Sequence, residues 1–208
     1  MNEIWQLFLT QWQQQSIFEV FAFIFAVAYI WLASEESIWC WPAGLISTAL
    51  YSYVFWEVSV FYQMLLNIYY MGMAVYGFIS WQKQGEDKTV ISKFTLKHHL
   101  IFSGLGIGIS ILFYFATIYW FTYQLVWLDI SISVFSLMTT WLTVKKILEC
   151  WIYWTIINIA SLVLFNENAL YVSMLLMIVY IIIAIRAWVQ WRQTYCNIVK
   201  ESQFSNIN

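Results

Sequence analysis

Charge is what this sequence has least of. Only 10% of its 208 residues are Asp, Glu, Lys or Arg, against about 25% in a typical soluble domain. Apolar residues make up 62% and aromatics 21%, a surface chemistry poorly matched to water. No basic stripe or basic arm is present, which excludes a nucleic-acid-binding protein. Residues 1–16 carry Glu3 and no Lys or Arg, so the basic head of a signal peptide is missing. That segment reads as a short amphipathic lead-in with Trp5 and Trp12 at a membrane interface. Cys40, Cys150 and Cys196 form no CxxC and no metal spacing, and His98 and His99 adjoin a basic loop without further ligands nearby. No metal site, no cofactor and no catalytic residue are expected. An intramembrane enzyme would need His, Cys or paired carboxylates gathered at one depth.

The apolar residues fall into long runs. Spanning a bilayer takes about 20 mainly apolar residues, and seven stretches qualify: 16–33, 38–56, 60–81, 100–120, 124–143, 147–165 and 169–188. Several connections are too short for anything but antiparallel neighbours. The nine basic residues all fall on one side. Lys83, Lys88, Lys93 and Lys97 follow the third stretch, Lys145 and Lys146 the fifth, and Arg186, Arg192 and Lys200 close the seventh. Positive charge resists translocation, which predicts a multi-pass protein of a bacterial inner membrane, N-terminus outside and C-terminus cytoplasmic. The three cysteines then sit toward the cytoplasmic side and are expected to be reduced thiols.

The chain repeats itself. A shift of 110 positions pairs Trp31 with Trp141, Cys40 with Cys150, Trp41 with Trp151, Glu57 with Glu167 and Trp81 with Trp191. Glu19 also meets Asp129, and Tyr70 meets Tyr180. Stretches one to three therefore match five to seven, and the single stretch between them restores the starting side. The expected fold is an all-α membrane protein of seven transmembrane helices in a 3+1+3 parallel-repeat arrangement. Its units are a first three-helix repeat at 16–81, a cytoplasmic loop and linker helix at 82–123, and a second repeat at 124–192. Such repeats place a substrate site at their interface near the midplane. In the linker helix Gly104 and Gly108 form a GxxxG pair suited to close helix packing.

Polar groups within the apolar runs are costly unless paired or used. In the third stretch Gln63, Asn67 and Tyr70 share one helical face; in the sixth, Trp151, Trp154 and Asn158 do so; in the fifth, Asp129, Ser133, Ser136 and Thr140 form a stripe. Asn158 lies roughly 15 Å in from its helix start, near mid-membrane. Stacked tryptophans with an amide one turn on suit a small flat ring, and a cationic one in particular. Glu19 fits the capping-box spacing Ser16-x-x-Glu19; an acidic mouth is the alternative.

The run Trp151-x-x-Trp154-x-x-x-Asn158 resembles the tryptophan–asparagine motif of the PnuC vitamin transporters, as does the run from Phe61 to Tyr70 followed by Gly77 and Trp81, and Asp129 followed by Lys145, Lys146 and Trp151. The resemblance spans about residues 16–192. It implies a doubled SWEET-like bundle and facilitated diffusion of an unphosphorylated vitamin precursor, trapped afterwards by cytoplasmic phosphorylation. Nicotinamide riboside is the first expectation and thiamine the second. It also implies that Trp151 and Trp154 contact the ring and Asn158 bonds it, with Gln63 opposite. GxxxG and trimeric relatives permit a homotrimer. One departure is the replacement of a glycine often found late in the seventh helix, here around Arg186-Ala187. The expectation from another class is a non-transporting membrane receptor or scaffold.

Overall fold

The computed structural model describes residues 2–57, 61–83, 91–119, 125–167 and 169–205, with side chains for 5–57, 64–83, 91–119, 125–167 and 169–200. Among these residues the chain forms eight helices: α1 (Asn2–Gln14), α2 (Ile17–Ser34), α3 (Cys40–Glu57), α4 (Phe61–Lys83), α5 (Leu96–Thr117), α6 (Val126–Val144), α7 (Cys150–Glu167) and α8 (Tyr171–Ser205). By length and composition α2, α5, α6, α7 and α8 are each apolar enough to cross a membrane.

Helix ends follow from local chemistry. At the start of α2 the Ser16 hydroxyl accepts from Glu19 N at 3.2 Å, and Ser16 N donates to the Glu19 carboxylate at 2.6 Å. Glu19 is thus a cap satisfying an otherwise orphaned donor. The ends of α2 and α6 are the same turn made twice. Ser37 N bonds Leu32 O at 2.9 Å and Glu36 N bonds Ala33 O at 3.1 Å; Ile147 N bonds Leu142 O at 3.0 Å and Lys146 N bonds Thr143 O at 3.1 Å. Both are Schellman turns. Glu36 at φ 54° and Lys146 at φ 51° take the left-handed position usually given to glycine.

Six helices close a ring. α3 packs on α2, α2 on α8, α8 on α7, α7 on α6, α6 on α4 and α4 back on α3. The two halves therefore meet twice, through α2 with α8 and through α4 with α6. Those seams are tied reciprocally: Trp81 Nε1 of α4 donates to Val144 O of α6 at 3.0 Å, and Trp191 Nε1 of α8 donates to Ser34 O of α2 at 3.0 Å. Within each half the tryptophans cross edge to face, Trp41 on Trp81 at 5.2 Å and 88°, Trp151 on Trp191 at 5.3 Å and 86°. Gly77 is required for the first pair, because a Cβ there would stand 2.5 Å from the Trp41 ring. The core of small residues and indoles around these pairs sits at the end of the ring where α2 and α6 terminate.

α5 lies outside the ring, seated on α6 and touching α7 through Phe102 and Tyr153 at 4.5 Å between ring centres. Its buried face is Phe102, Gly106 and Ser110, one residue per turn. The close approach expected of Gly104 and Gly108 falls elsewhere: neither would bring a Cβ within 4 Å of a neighbouring element among the described residues, whereas a Cβ on Gly106 would meet Phe135 at 2.5 Å. Gly106 lies about 200° round the helix from Gly104, so the two serve opposite faces. His98 and His99 lie in the first turn of α5 rather than in a loop. His98 Nδ1 faces Thr95 Oγ1 at 2.8 Å, and His99 Nδ1 meets the Tyr153 hydroxyl at 2.7 Å. Residues 91–95 strap onto the α6–α7 turn through Ser92, which pairs with Lys146 O and Leu148 N at 3.1 and 2.9 Å, and Phe94 N, which donates to Glu149 Oε2 at 2.9 Å.

Two elements outrun the sequence reading. α1 is a helix tied to the start of α8, Gln11 bridging Ala169 O at 2.6 Å and Tyr171 N at 3.0 Å. α8 runs 35 residues, well past the expected end at 188, since nothing after Trp188 breaks it. At 1.5 Å per residue it is about 50 Å long, against roughly 30 Å of hydrocarbon.

Candidate functional site

The ring encloses a cavity of 390 Å³ lined by all six of its helices, within the roughly 300–1,000 Å³ of small-molecule sites. Five of the seven residues expected at a site line it: Asn67 and Tyr70 on α4, Asp129 on α6, Trp154 and Asn158 on α7. The side chain of Gln63 lies outside the described residues. Trp151 is not among the lining residues; it is 1% exposed and packs on Trp191. It shares a helical face with Asn158, but seven residues along a helix are about 10 Å of depth. Trp151 belongs to the buried core, while its counterpart Trp41, in the same first turn of α3, is both core and cavity lining.

Trp154 is fixed by its own hydrogen bond. Its Nε1 donates to Thr143 Oγ1 at 3.0 Å, which leaves the indole face to present. Asn158 is 3% exposed, and its Nδ2 has no hydrogen-bond partner among the described residues. An unpaired buried donor costs about 1–3 kcal/mol, a cost that an acceptor entering the cavity would remove. The hydroxyls on the lining are largely satisfied by backbone: Thr140 donates to Ser136 O at 2.8 Å, Ser161 to Ile157 O at 2.9 Å, Thr48 to Gly44 O at 2.8 Å and Ser47 to Ala22 O at 2.9 Å.

Asp129 is the one charged group among the described lining residues. Three cations are engaged beyond the core end of the ring. Lys146 pairs with Glu36 at 2.9 Å and lies 4.6 Å from the Trp81 ring centre. Lys145 Nζ donates to the Tyr76 hydroxyl at 3.1 Å. Arg186 pairs with Glu35, bonds Ser34 Oγ at 3.2 Å and stacks 4.3 Å over Trp31. Gln190 adds a bond to Glu35 at 2.9 Å, and these partners hold the Glu35 carboxyl below the usual carboxylate range, the Gln190 bond foremost and then the Arg186 guanidinium. Tyr76 and Lys145 occupy in one half the positions that Arg186 and Glu35 occupy in the other, so this end is closed by the same contact made twice with different chemistry.

Sequence reasoning passed over Tyr29, Trp41, Thr48, Tyr51 and Tyr180, all of which line the cavity. Tyr180 was available from its pairing with Tyr70 under the 110-residue shift. Tyr29 had no such signal, since its counterpart is Thr139.

A family model described as nicotinamide mononucleotide transporter matches residues 16–193. The chain belongs to that family. It is accordingly a multi-pass membrane transporter and not an enzyme. Similar proteins include the nicotinamide riboside transporters PnuC of Escherichia coli (strain K12) and Shigella flexneri, each 24% identical over 189 residues, covering 78% of this chain and 79% of the relative. Among solved structures, the crystal structure of the vitamin B3 transporter PnuC superposes with a TM-score of 0.73 at 19% identity, over 93% of this chain and 88% of that one. The transporter thus has the fold of that protein.

Proposed function

We propose that the transporter carries an unphosphorylated B-vitamin precursor by facilitated diffusion, nicotinamide riboside first and thiamine second, with phosphorylation in the cytoplasm trapping the product. The observation that carries this reading is the amide donor of Asn158, unpartnered among the described residues, beside the fixed indole face of Trp154, inside a cavity between two repeated halves. The lining holds Asp129 and no lysine or arginine among the described residues. A phosphate dianion would enter without a counter-charge, which is costly in a low-dielectric site; a cationic ring has both a carboxylate and a π face. The family is described as transporting a mononucleotide, and this charge pattern favours the dephosphorylated nucleoside, in line with the relatives that are nicotinamide riboside transporters.

In this reading α2–α8 all span a bacterial inner membrane in a 3+1+3 plan, with repeats at 16–81 and 124–192 joined by 82–123. α3 and α4 turn Ser47, Thr48, Asn67 and Tyr70 to the cavity. Transport proceeds by rocking of the two halves about the site, with the basic end cytoplasmic. The outward Gly104 and Gly108 of α5 permit a homotrimer. Uptake of labelled nicotinamide riboside and of thiamine into proteoliposomes tests the proposal, with Trp154→Ala and Asn158→Ala as controls. Saturable flux of one vitamin, reduced in both variants, is expected. Absence of flux for both would overturn the substrate assignment, and full flux in both variants would overturn the site.

A further inference from the structure

The two halves differ around the cavity in one compensating way. Residue 44 in α3 corresponds to 154 in α7, and residue 29 in α2 to 139 in α6. The second half has a large ring on the later helix, Trp154, and a small, fully buried Thr139 on the earlier one. The first half reverses the sizes, with Gly44 on α3 and Tyr29 on α2. A Cβ built on Gly44 would stand 2.9 Å from Cδ2 and 3.3 Å from Cε2 of Tyr29. The phenol ring therefore fills the space that a side chain at position 44 would occupy. Each half brings one aromatic ring to the same place in its own frame, from a different helix, and both rings line the cavity.

We propose that Tyr29 is the second aromatic wall of the substrate site, set across from Trp154, and that it selects for a flat cationic ring. This rests on the transporter reading above. Both faces are positioned before anything binds. Trp154 is held by Thr143. Tyr29 is seated on Gly44 and backed by Trp41 at 6.1 Å, which is itself locked against Trp81 at 5.2 Å. Rings held this way need not be ordered on binding, so little of the contact is lost to entropy. Two π faces bury both sides of a planar ligand and attract its positive charge, while Asn158 on the Trp154 side reads its edge. Gly44 is then a positioning residue, because any side chain there displaces the Tyr29 ring.

The test is equilibrium binding to purified full-length protein in detergent, with nicotinamide riboside, its uncharged and non-aromatic 1,4-dihydro form, and thiamine. Tyr29→Phe should stay within about threefold of wild type for every ligand, since the ring carries the contact. Tyr29→Leu keeps apolar volume and removes the π face. It should weaken the cationic aromatic ligand that wild type binds by about tenfold or more, and the dihydro form by about threefold or less. Tyr29→Met serves the same comparison if the leucine variant is not monodisperse. Unchanged binding in Tyr29→Leu, or an equal loss for charged and uncharged forms, would overturn the assignment and leave Tyr29 a packing residue. Wild-type protein that binds none of the three overturns the vitamin reading itself, and this inference with it.

Discussion

Lys146 Nζ lies 2.9 Å from Glu36 Oε2, and the two residues are 110 positions apart, the period of the internal repeat. They are each other's counterparts. Both stand at the left-handed position of the turn that ends α2 or α6. An approximate two-fold axis between such turns brings a position face to face with itself, and identical residues of either charge would repel. The departure from repeat symmetry at 36 and 146 is thus what allows the halves to attract where they meet.

Reversal of one partner should expose this. Lys146→Glu is expected to destabilise the protein by about 1–2 kcal/mol through like-charge contact, and Glu36→Lys/Lys146→Glu to recover most of it. Thermal unfolding in detergent reads both. A double variant no more stable than the single one would show that the pair contributes nothing.

The two tryptophans of the α7 motif should separate by function. Trp154→Phe removes the Nε1 bond to Thr143 and shrinks the face on the cavity, so vitamin affinity should fall by about tenfold. Trp151→Phe should leave affinity within about threefold and lower the melting temperature instead, because Trp151 belongs to the core. Ligand titration together with thermal unfolding tests both, and equal affinity losses would return Trp151 to the site.

Acid should release the Glu35 contacts. The folded-state pKa of Glu35 is depressed by Gln190 and Arg186, so its contribution is present above the ordinary carboxylate pKa of about 4.3 and fades as pH falls through the lower folded value. The stability difference between wild type and Glu35→Gln should therefore be present at neutral pH and vanish in acid. A difference that grew on acidification would contradict the assignment.

The two faces of α5 should respond oppositely to a methyl group. Gly106→Ala places a Cβ against the Phe135 ring and should cost about 1–3 kcal/mol. Gly104→Ala meets no other element among the described residues and should be neutral or stabilising by up to about 1 kcal/mol, from helix propensity. Melting temperatures of the two variants decide it.

Some of this was legible in the residues. The seven apolar runs coincide with α2 to α8, and paired Trp, Cys and Glu residues recur at a spacing of 110. The capping box at Ser16 and Glu19 was readable from spacing alone. The aromatic wall at Tyr29 was not. Its counterpart Thr139 looks unrelated until Gly44 and Trp154 are seen to compensate, and that exchange exists only between neighbouring helices. The length of α8 was underread because a hydropathy window ends where polarity rises, while a helix continues until its backbone is broken.

The sequence by itself determined that α2 to α8 are helical, that residues recur at a spacing of 110, and which polar side chains each helix turns to one side. These depend on chain-local quantities: run length, periodicity and spacing. Tertiary structure alone decided how those faces close into a ring, at what depth Trp151 and Trp154 part company, and that Lys146 meets Glu36. Those are distances between residues far apart in sequence, and they are set by which helices pack, not by what any one helix contains.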